Sequence, residues 1–519
     1  MNTSTSDYVT DVPYVRSFVP DLSPLTLRLV AALNGFPQPP AEAFHYCELG
    51  SGHGDTTATL AAAYPRARFL GVDLSPIHTV SANALATGGE LTNVSFLERD
   101  FEGMGAEPGE LFDFIAAHGV ASWIAPAKRL AMLALASAKL KHGGLFYVGY
   151  NALPGWAGVE PLRQLMIERG DAVGGTPLER ARAGVAFAKL LRDAGAEYFK
   201  GNPAAHEMIA TMERTGYAYV VHEYLHAHWH PMYFAKLAVE MAAHDLYFVG
   251  QLPLHLNYRD VAVPASMKSV FKDVGDRMTF ETLKDYATNQ FFRRDVFIKG
   301  KVLRDAAAAG AFLDETPFRL TPAPARIPRE ARLPYHTLTF GGPAFDGIFD
   351  ALAGGAKTIP DLAAIPALAP LGRAVVADAV MRLLLGGQVA PTVARTANDP
   401  ALDPFAPGLR VPLAYNRMIL RDGLSPDHPI VLASPVAGTG FGFSMIEGVA
   451  LRLLTEVPEP EWRAWVTDFA ASRPFVLKVA DQAIQNQGER AQVLLASVRT
   501  FAKESVGRLL ELGILARDG

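Results

Sequence analysis

Between residues 44 and 150 the apolar positions follow two rhythms. Short apolar runs, "FHYCEL", "ARFLGVDLS", "NVSFLERDF", "LFDFIAAHG" and "GLFYVGYNA", have the length and the β-branched or aromatic content of buried strands. Helical stretches stand between several of them. "DTTATLAAAYP" is stopped by Pro65, "SPIHTVSANALAT" follows the second run, and "AKRLAMLALASAKLKHGG" ends at a glycine stop. Strand–helix alternation with short connections predicts a parallel, doubly wound sheet. In such a sheet ligands sit at the carboxyl ends of the strands, near the first turn.

After Trp156 the rhythm turns helical, through "VEPLRQLMIERG" and "PLERARAGVAFAKLLRDAGAEYF". Pro231 to His244 reads as an amphipathic helix, Asp245 to Leu254 as a strand, and "FFRRDVFIKG" as a further strand. The later strand pair is expected to close the first sheet. The fold class that follows is α/β, a Rossmann-like sheet of seven strands with a helical insertion. "RLTPAPARIPRE" shifts the composition to Pro, Ala and Arg and marks a linker. Beyond it three helices run into a strand, the outline of a winged helix, and a helix-rich tail follows. The expected organisation is a core over 1–156, a helical cap over 157–216, a segment completing the sheet over 217–303, a linker over 304–335, and a winged-helix-like, mostly helical region over 336–519.

Composition narrows the function classes. The 519 residues carry 48 Lys+Arg against 53 Asp+Glu, a net charge of −5. Nucleic-acid binding rests on neutralising phosphates, so this balance argues against that task. It leaves room for an acidic groove that welcomes a basic peptide. The would-be recognition helix "GRAVVADAVMRLLLGG" offers Arg373 and Arg382 on an otherwise apolar surface. A helix reading DNA needs more cations and polar side chains; this one is built for packing, against a protein substrate or a second subunit. Cys47 is the one cysteine, which excludes an internal disulfide and a cysteine-based zinc site. No secretory pattern opens the sequence and no apolar run reaches membrane-spanning length, so a cytoplasmic setting without a membrane partner is expected.

The chemistry starts at "YCELGSGHGDTT", where Gly50, Gly52 and Gly54 follow Glu48. Such a turn lets a small molecule lie against bare backbone. A dinucleotide pyrophosphate and S-adenosyl-L-methionine are the two main candidates. The dinucleotide fingerprint places its third glycine three residues after the second. Here the gap is two. The acid before the turn also favours a ligand with a cationic ammonium and sulfonium over one with two phosphate charges. Asp73 closes the second strand, placed to accept both ribose hydroxyls, with Leu74 beside it. Asp100 closes the third, where it can take the adenine amino group, and Phe101 can cover the ring. Ser51 belongs to the same turn. One acid at a strand end is usually a helix cap; three in succession point to a nucleoside cofactor.

With those segments in place, "FDFIAAHGVASWI" and "GGLFYVGYNALPGW" resemble the bacterial class I methyltransferases that carry a methyltransferase regulatory domain, among them the rickettsial lysine methyltransferases that modify outer-membrane proteins. The resemblance continues through "YVVHEYL", "PMYF" and "NQFFRRDVF" and covers most of the chain. It implies cofactor contacts at Glu48, Gly50, Gly52, Asp73, Asp100 and Phe101, with the acceptor side built after the fourth and fifth strands. The leading "DVPYVRSF", with Tyr14 and Phe18, is similar to the family's opening segment, which implies closure over the cofactor. The usual central "CGxG" is "SGHG" here, which puts His53 near the methionine end.

Methyl transfer from a sulfonium is an in-line displacement, so the enzyme aligns donor and acceptor and excludes water. A lysine acceptor must first become neutral, and burial among aromatics disfavours its cation. His118, Trp123, Tyr150, Asn151 and Trp156 are expected at one mouth. In this reading His118 or Tyr150 takes or relays the proton, Asn151 fixes the amine, and Trp123 and Trp156 wall the acceptor channel. The plainer alternative for His118 is a bond to backbone or to the cofactor carboxylate. "HEYLHAHWHP" places His222, His226, His228 and His230 at alternate positions of an extended strand, yet the reaction needs no metal and none is expected. The leading acceptor is a protein or peptide lysine. A small molecule or peptide natural product is the runner-up, and a silent cofactor-binding protein is the reading from another class.

Overall fold

The computed structural model describes residues 16–102, 104–105, 109–225, 228–322, 327–397, 403–424, 430–472, 478–479, 482–484 and 486–518. Its centre is one seven-stranded sheet. The strands are β1 (His45–Leu49), β2 (Arg68–Asp73), β3 (Val94–Glu98), β4 (Phe112–His118), β5 (Leu140–Asn151), β6 (Leu246–Leu252) and β7 (Phe292–Lys299). They lie in the order β3-β2-β1-β4-β5-β7-β6. The first five pair in parallel, and β7 runs antiparallel to both β5 and β6. The sheet is therefore Rossmann-like, closed by the later strand pair. Chain order reverses between β1 and β4, which opens a crevice at the carboxyl ends of those strands.

Helices cover both faces. In chain order they are α1 (Pro24–Leu33), α2 (Asp55–Ala63), α3 (Pro76–Gly88), α4 (Pro126–Lys139), α5 (Glu160–Val173), α6 (Pro177–Asp193), α7 (Glu197–Gly201), α8 (Pro203–Thr215), α9 (Tyr217–Tyr224), α10 (Phe234–Ala243), α11 (Arg259–Ala262) and α12 (Arg277–Thr288). One core face gathers Phe44, Tyr46, Phe69, Phe114 and Tyr147 under α1 and α2. The other gathers Leu49, Ile115, Leu133, Phe146 and Phe297 beneath α4 and α10. The period-two alternation of β5 explains this split: Phe146 and Val148 go one way, Leu145 and Tyr147 the other.

Three local readings need correction. Helix α4 runs straight into β5 at Leu140, so the expected glycine stop is absent, and Gly143 and Gly144 lie inside the strand. The histidine-rich stretch opens in a helix, Tyr217–Tyr224, which is α9 and whose Val220, Val221 and Tyr224 pack into the helical insertion, and His228 and His230 stand outside any strand. The buried positions ahead of the alternating histidines have helical spacing. Beyond residue 340, helices Pro343–Ala353, Ile359–Ala363 and Arg373–Leu385 lead to a strand at Val389–Pro391, as expected. That strand pairs back onto Phe318–Leu320, upstream of the helices, and the next hairpin, Ile430–Ser434 with Thr439–Phe443, stands beyond a further helix at Ala414–Asp422. Helix Arg373–Leu385 buries Val376, Val380 and Leu383, while Arg373 pairs with Asp314 and Arg382 with Asp378.

Candidate active site

The crevice at the sheet's switch point is a cavity of about 1010 Å³. Pockets for small ligands run to about 300–1,000 Å³, so this one has room for a cofactor and part of a second molecule. Its floor is the glycine turn. Gly50, Gly52 and Gly54 all adopt positive φ, which explains three glycines in five residues. A Cβ on Gly50 would come within 2.4 Å of Val120, whereas one on Gly52 would meet nothing within 4 Å. Gly50 is closed by the protein, and Gly52 is open for a ligand to lie against.

Glu48 lines the cavity behind the turn, 5% exposed, with Thr57 donating to its carboxylate. Burial, aided by the nearby charges of Asp73 and Asp55, pushes its carboxyl up to about 8 against the pull of the Thr57 bond. A buried acid held this high waits for a cation. Asp73 is a clamp as well as a wall: it accepts from Gly52 N–H at 2.8 Å and Ser75 N–H at 2.9 Å, with His78 Nδ1 at 3.1 Å. A carboxylate has about four acceptor positions, so the expected grip on both ribose hydroxyls reduces to a single one, on Oδ2. Asp100 and Phe101 also line the cavity, with Lys128 bonded to the Asp100 carboxylate. Burial raises the Asp100 carboxyl, but the Lys128 bond and charge outweigh it and hold the acid below its usual range.

Ser51, Leu74 and His118 complete this half of the lining, and Ser17 and Val19, flanking Phe18, close one side. Val19 N–H donates to Thr56 Oγ1 at 3.1 Å and Arg16 pairs with Asp55 at 2.9 Å, which ties the leading segment to α2. Tyr14 lies outside the described residues. The far half of the cavity is aromatic: Trp123, Trp156, Tyr219, Tyr224, Phe291 and Phe292. Trp156 stands edge-on to Trp229 and Phe291, with centroids 5.4 Å and 5.9 Å away. Asn151, paired across the sheet with Phe292, also lines the cavity. Its backbone is fixed on both sides, N–H to Ser122 Oγ at 2.9 Å and carbonyl to Met232 N–H at 2.9 Å. Its buried Nδ2 has no hydrogen-bond partner among the described residues.

Two proton-handling expectations change. Tyr150 is fully buried and absent from the cavity lining; its hydroxyl donates to Asp295 Oδ2 at 2.7 Å on the other side of the sheet. Strand alternation gives the reason, since Tyr150 and Asn151 are neighbours and must face opposite ways. Its hydroxyl is pushed up by burial and by Asp295, so it keeps its proton. His118 does line the cavity, with Nδ1 2.8 Å from the Tyr147 hydroxyl. Burial lowers it to about 4, which makes it a neutral imidazole and a weak base. Of the histidine stretch, His228 lines the cavity and its ring lies 6.0 Å from that of His230. His226 and the His222 side chain lie outside the described residues, and no cluster of three metal-ligating side chains occurs among the described ones.

Comparison with known proteins meets the same site. Residues 47–144 match the family model of a methyltransferase domain, and residues 217–299 match that of a predicted methyltransferase regulatory domain. The chain carries a methyltransferase domain on a sheet with the class I methyltransferase fold. Along 98% of its length it is 28% identical to an uncharacterized protein of Synechocystis sp., covering 99% of that relative. An uncharacterized protein of Rickettsia prowazekii is 26% identical over 54% of this chain and 51% of its own. The fold matches PKMT2 from Rickettsia typhi, solved in complex with AdoHcy, with a TM-score of 0.71 and 17% identity over 95% of this chain and 99% of that one.

A methyltransferase of this class draws its methyl group from S-adenosyl-L-methionine, and the donor set fits that molecule. Glu48 would face the ammonium, Gly52 the amino-acid tail, Asp73 the ribose, and Asp100 with Phe101 the adenine. The cofactor supplies an electrophilic methyl on a sulfonium; the methyltransferase supplies alignment and a dry chamber. Sequence reasoning missed several walls of that chamber. Lys128 sits in the first turn of α4, where the helix dipole disfavours a cation and the turn itself holds no acid; that mismatch is a usable signal. Phe291 and Phe292 stand in "NQFFRRDVF", where nothing local marks them as cavity wall. Met208, Thr211 and Glu223, from α8 and α9, are brought in by tertiary packing alone.

Proposed function

We propose that this methyltransferase N-methylates lysine side chains of a protein or peptide. The observation that carries the reading is the far half of the cavity, an aromatic compartment whose lining also holds one buried amide, Asn151, and one carboxylate, Glu223. An ammonium is drawn in by Glu223 and by the faces of Tyr219 and Tyr224. Deeper in, between Trp123, Trp156 and Phe291, loss of water disfavours the cation, so the ammonium gives its proton to solvent water at the mouth and enters as the neutral amine. Asn151 then holds that amine in line with the methyl group. Neither His118, a weak base, nor Tyr150, outside the cavity, is needed to take the proton.

AdoHcy bound to PKMT2 of Rickettsia typhi, a protein with this fold, supports the cofactor half of the reading. The acceptor half is tested by incubating a cell lysate with the enzyme and an isotopically labelled methyl donor, then locating the label by mass spectrometry. Label on lysine side chains of proteins is the expected result. Label confined to small molecules would overturn it in favour of the alternative acceptor class. The role of Glu223 has its own check. Glu223→Gln should raise KM for a cationic peptide about tenfold, the worth of one charge-assisted contact, and leave S-adenosylhomocysteine affinity unchanged.

A further inference from the structure

Behind the acceptor wall, on the opposite face of β5 and β7, lies a buried ionic cluster that the chemistry above does not use. Arg293 is fully buried and meets three carboxylates: Asp295 at 2.9 Å, Glu281 at 3.0 Å and Asp285 at 2.5 Å. Lys284 pairs with Glu281 at 2.6 Å, and the Tyr150 hydroxyl donates to Asp295 at 2.7 Å. The Phe234 ring lies 4.1 Å from the guanidinium. Burying such a group is a costly way to fill a core, since well-packed apolar side chains often serve stability as well or better. What apolar residues lack is direction.

The cluster's members alternate in sequence with the cavity's. Phe292 lines the cavity and Arg293 the cluster; Asn151 lines the cavity and Tyr150 the cluster. The link between α12 and β7 is short and hydrogen-bonded throughout. Gln290 N–H donates to the Asp285 carbonyl at 3.0 Å, and Gln290 Nε2 to the Phe292 carbonyl at 2.6 Å. Across the gap, Ala152 N–H donates to the Phe291 carbonyl at 2.7 Å and Gly155 N–H to the Gln290 carbonyl at 3.0 Å. The Phe291–Phe292 pair is therefore held between the cluster on one flank and the end of β5 on the other.

We propose that this cluster is a positioning device: Arg293, braced by Asp295, Asp285 and Glu281, sets where Phe291, Phe292 and Asn151 stand against the acceptor. The matched regulatory domain contributes all of it except Tyr150. Its part in the enzyme is then to orient the acceptor wall from behind. The catalytic half of the test rests on the lysine reading above; the structural half does not.

The experiment compares the full-length wild type with Tyr150→Phe and Asp285→Asn, the first removing one hydroxyl and the second one charge. Amide hydrogen exchange is followed by mass spectrometry, alongside turnover on an oligolysine peptide and affinity for S-adenosylhomocysteine. Exchange at Ala152 and Gly155 should quicken while amides of the glycine turn keep wild-type rates. Turnover should fall by about 10- to 100-fold, the scale of a small misplacement of reacting groups, with KM and S-adenosylhomocysteine affinity unchanged. Wild-type exchange at Ala152 and Gly155 in both folded variants would overturn the proposal, and so would a uniform rise across the chain. A wild type silent on the peptide would instead count against the lysine reading, and the exchange result would still decide the positioning role.

Discussion

Glu48 is the residue on which the cofactor half of the site turns. Its carboxyl, pushed up to about 8 by burial, is mostly protonated at neutral pH until a cation arrives. A ligand bearing an ammonium binds the ionised form, so binding expels a proton. Affinity for S-adenosylhomocysteine should accordingly rise as pH increases towards about 8 and level off above it. Calorimetry in buffers of different ionisation enthalpy would report the released proton. Glu48→Gln should lose both the slope and the proton, with affinity down about 10- to 100-fold. Gly52→Ala separates backbone strain from ligand space. At φ +53° the new Cβ meets no protein atom, so stability should drop by only about 1–2 kcal/mol, the left-handed penalty; S-adenosylhomocysteine affinity should fall further than that loss accounts for. These residues were legible because a local turn dictates them. Tyr150 was misplaced because a string of aromatics near a strand end does not say which faces the cavity until the register of β5 is known.

At the scale of elements, the five parallel strands stood out in the sequence because each is an apolar run bounded by turn signals. The histidine-rich stretch misled because alternation of one residue type imitates a strand, while His228 and His230 lie outside any strand and the segment ahead of them forms the helix α9. The charged "FRRD" of β7 gave no hint of burial either. Charges in a strand read as solvent-facing until α12 supplies Glu281 and Asp285 as partners of Arg293. Removing one partner leaves Arg293 short of an anion in a dry place. Asp295→Ala should cost about 3–5 kcal/mol of folding stability, measured by denaturant or thermal unfolding. An unchanged midpoint would mean that water reaches the cluster.

Across the whole molecule, the C-terminal region packs against the helix that carries the cofactor turn. Tyr415, Met418 and Ala433 belong to the same buried core as Phe44, Leu60 and Tyr64. Thr59 Oγ1 lies 3.0 Å from the Tyr415 hydroxyl, and Ser23 Oγ donates to the Gly438 carbonyl at 2.7 Å. Nothing in the sequence announces contacts so distant along the chain. Removing residues 398–519 should therefore lower the thermal midpoint of what remains and weaken cofactor binding, although the truncation touches no cavity residue. Methyl transfer at this site requires that the crevice beside Glu48 and Gly52 hold the adenosyl cofactor, and an isothermal titration of the full-length chain with S-adenosylhomocysteine tests this most directly. Saturable binding of one molecule per chain, weakened in Glu48→Gln, is the predicted result; absence of binding at millimolar ligand would contradict it.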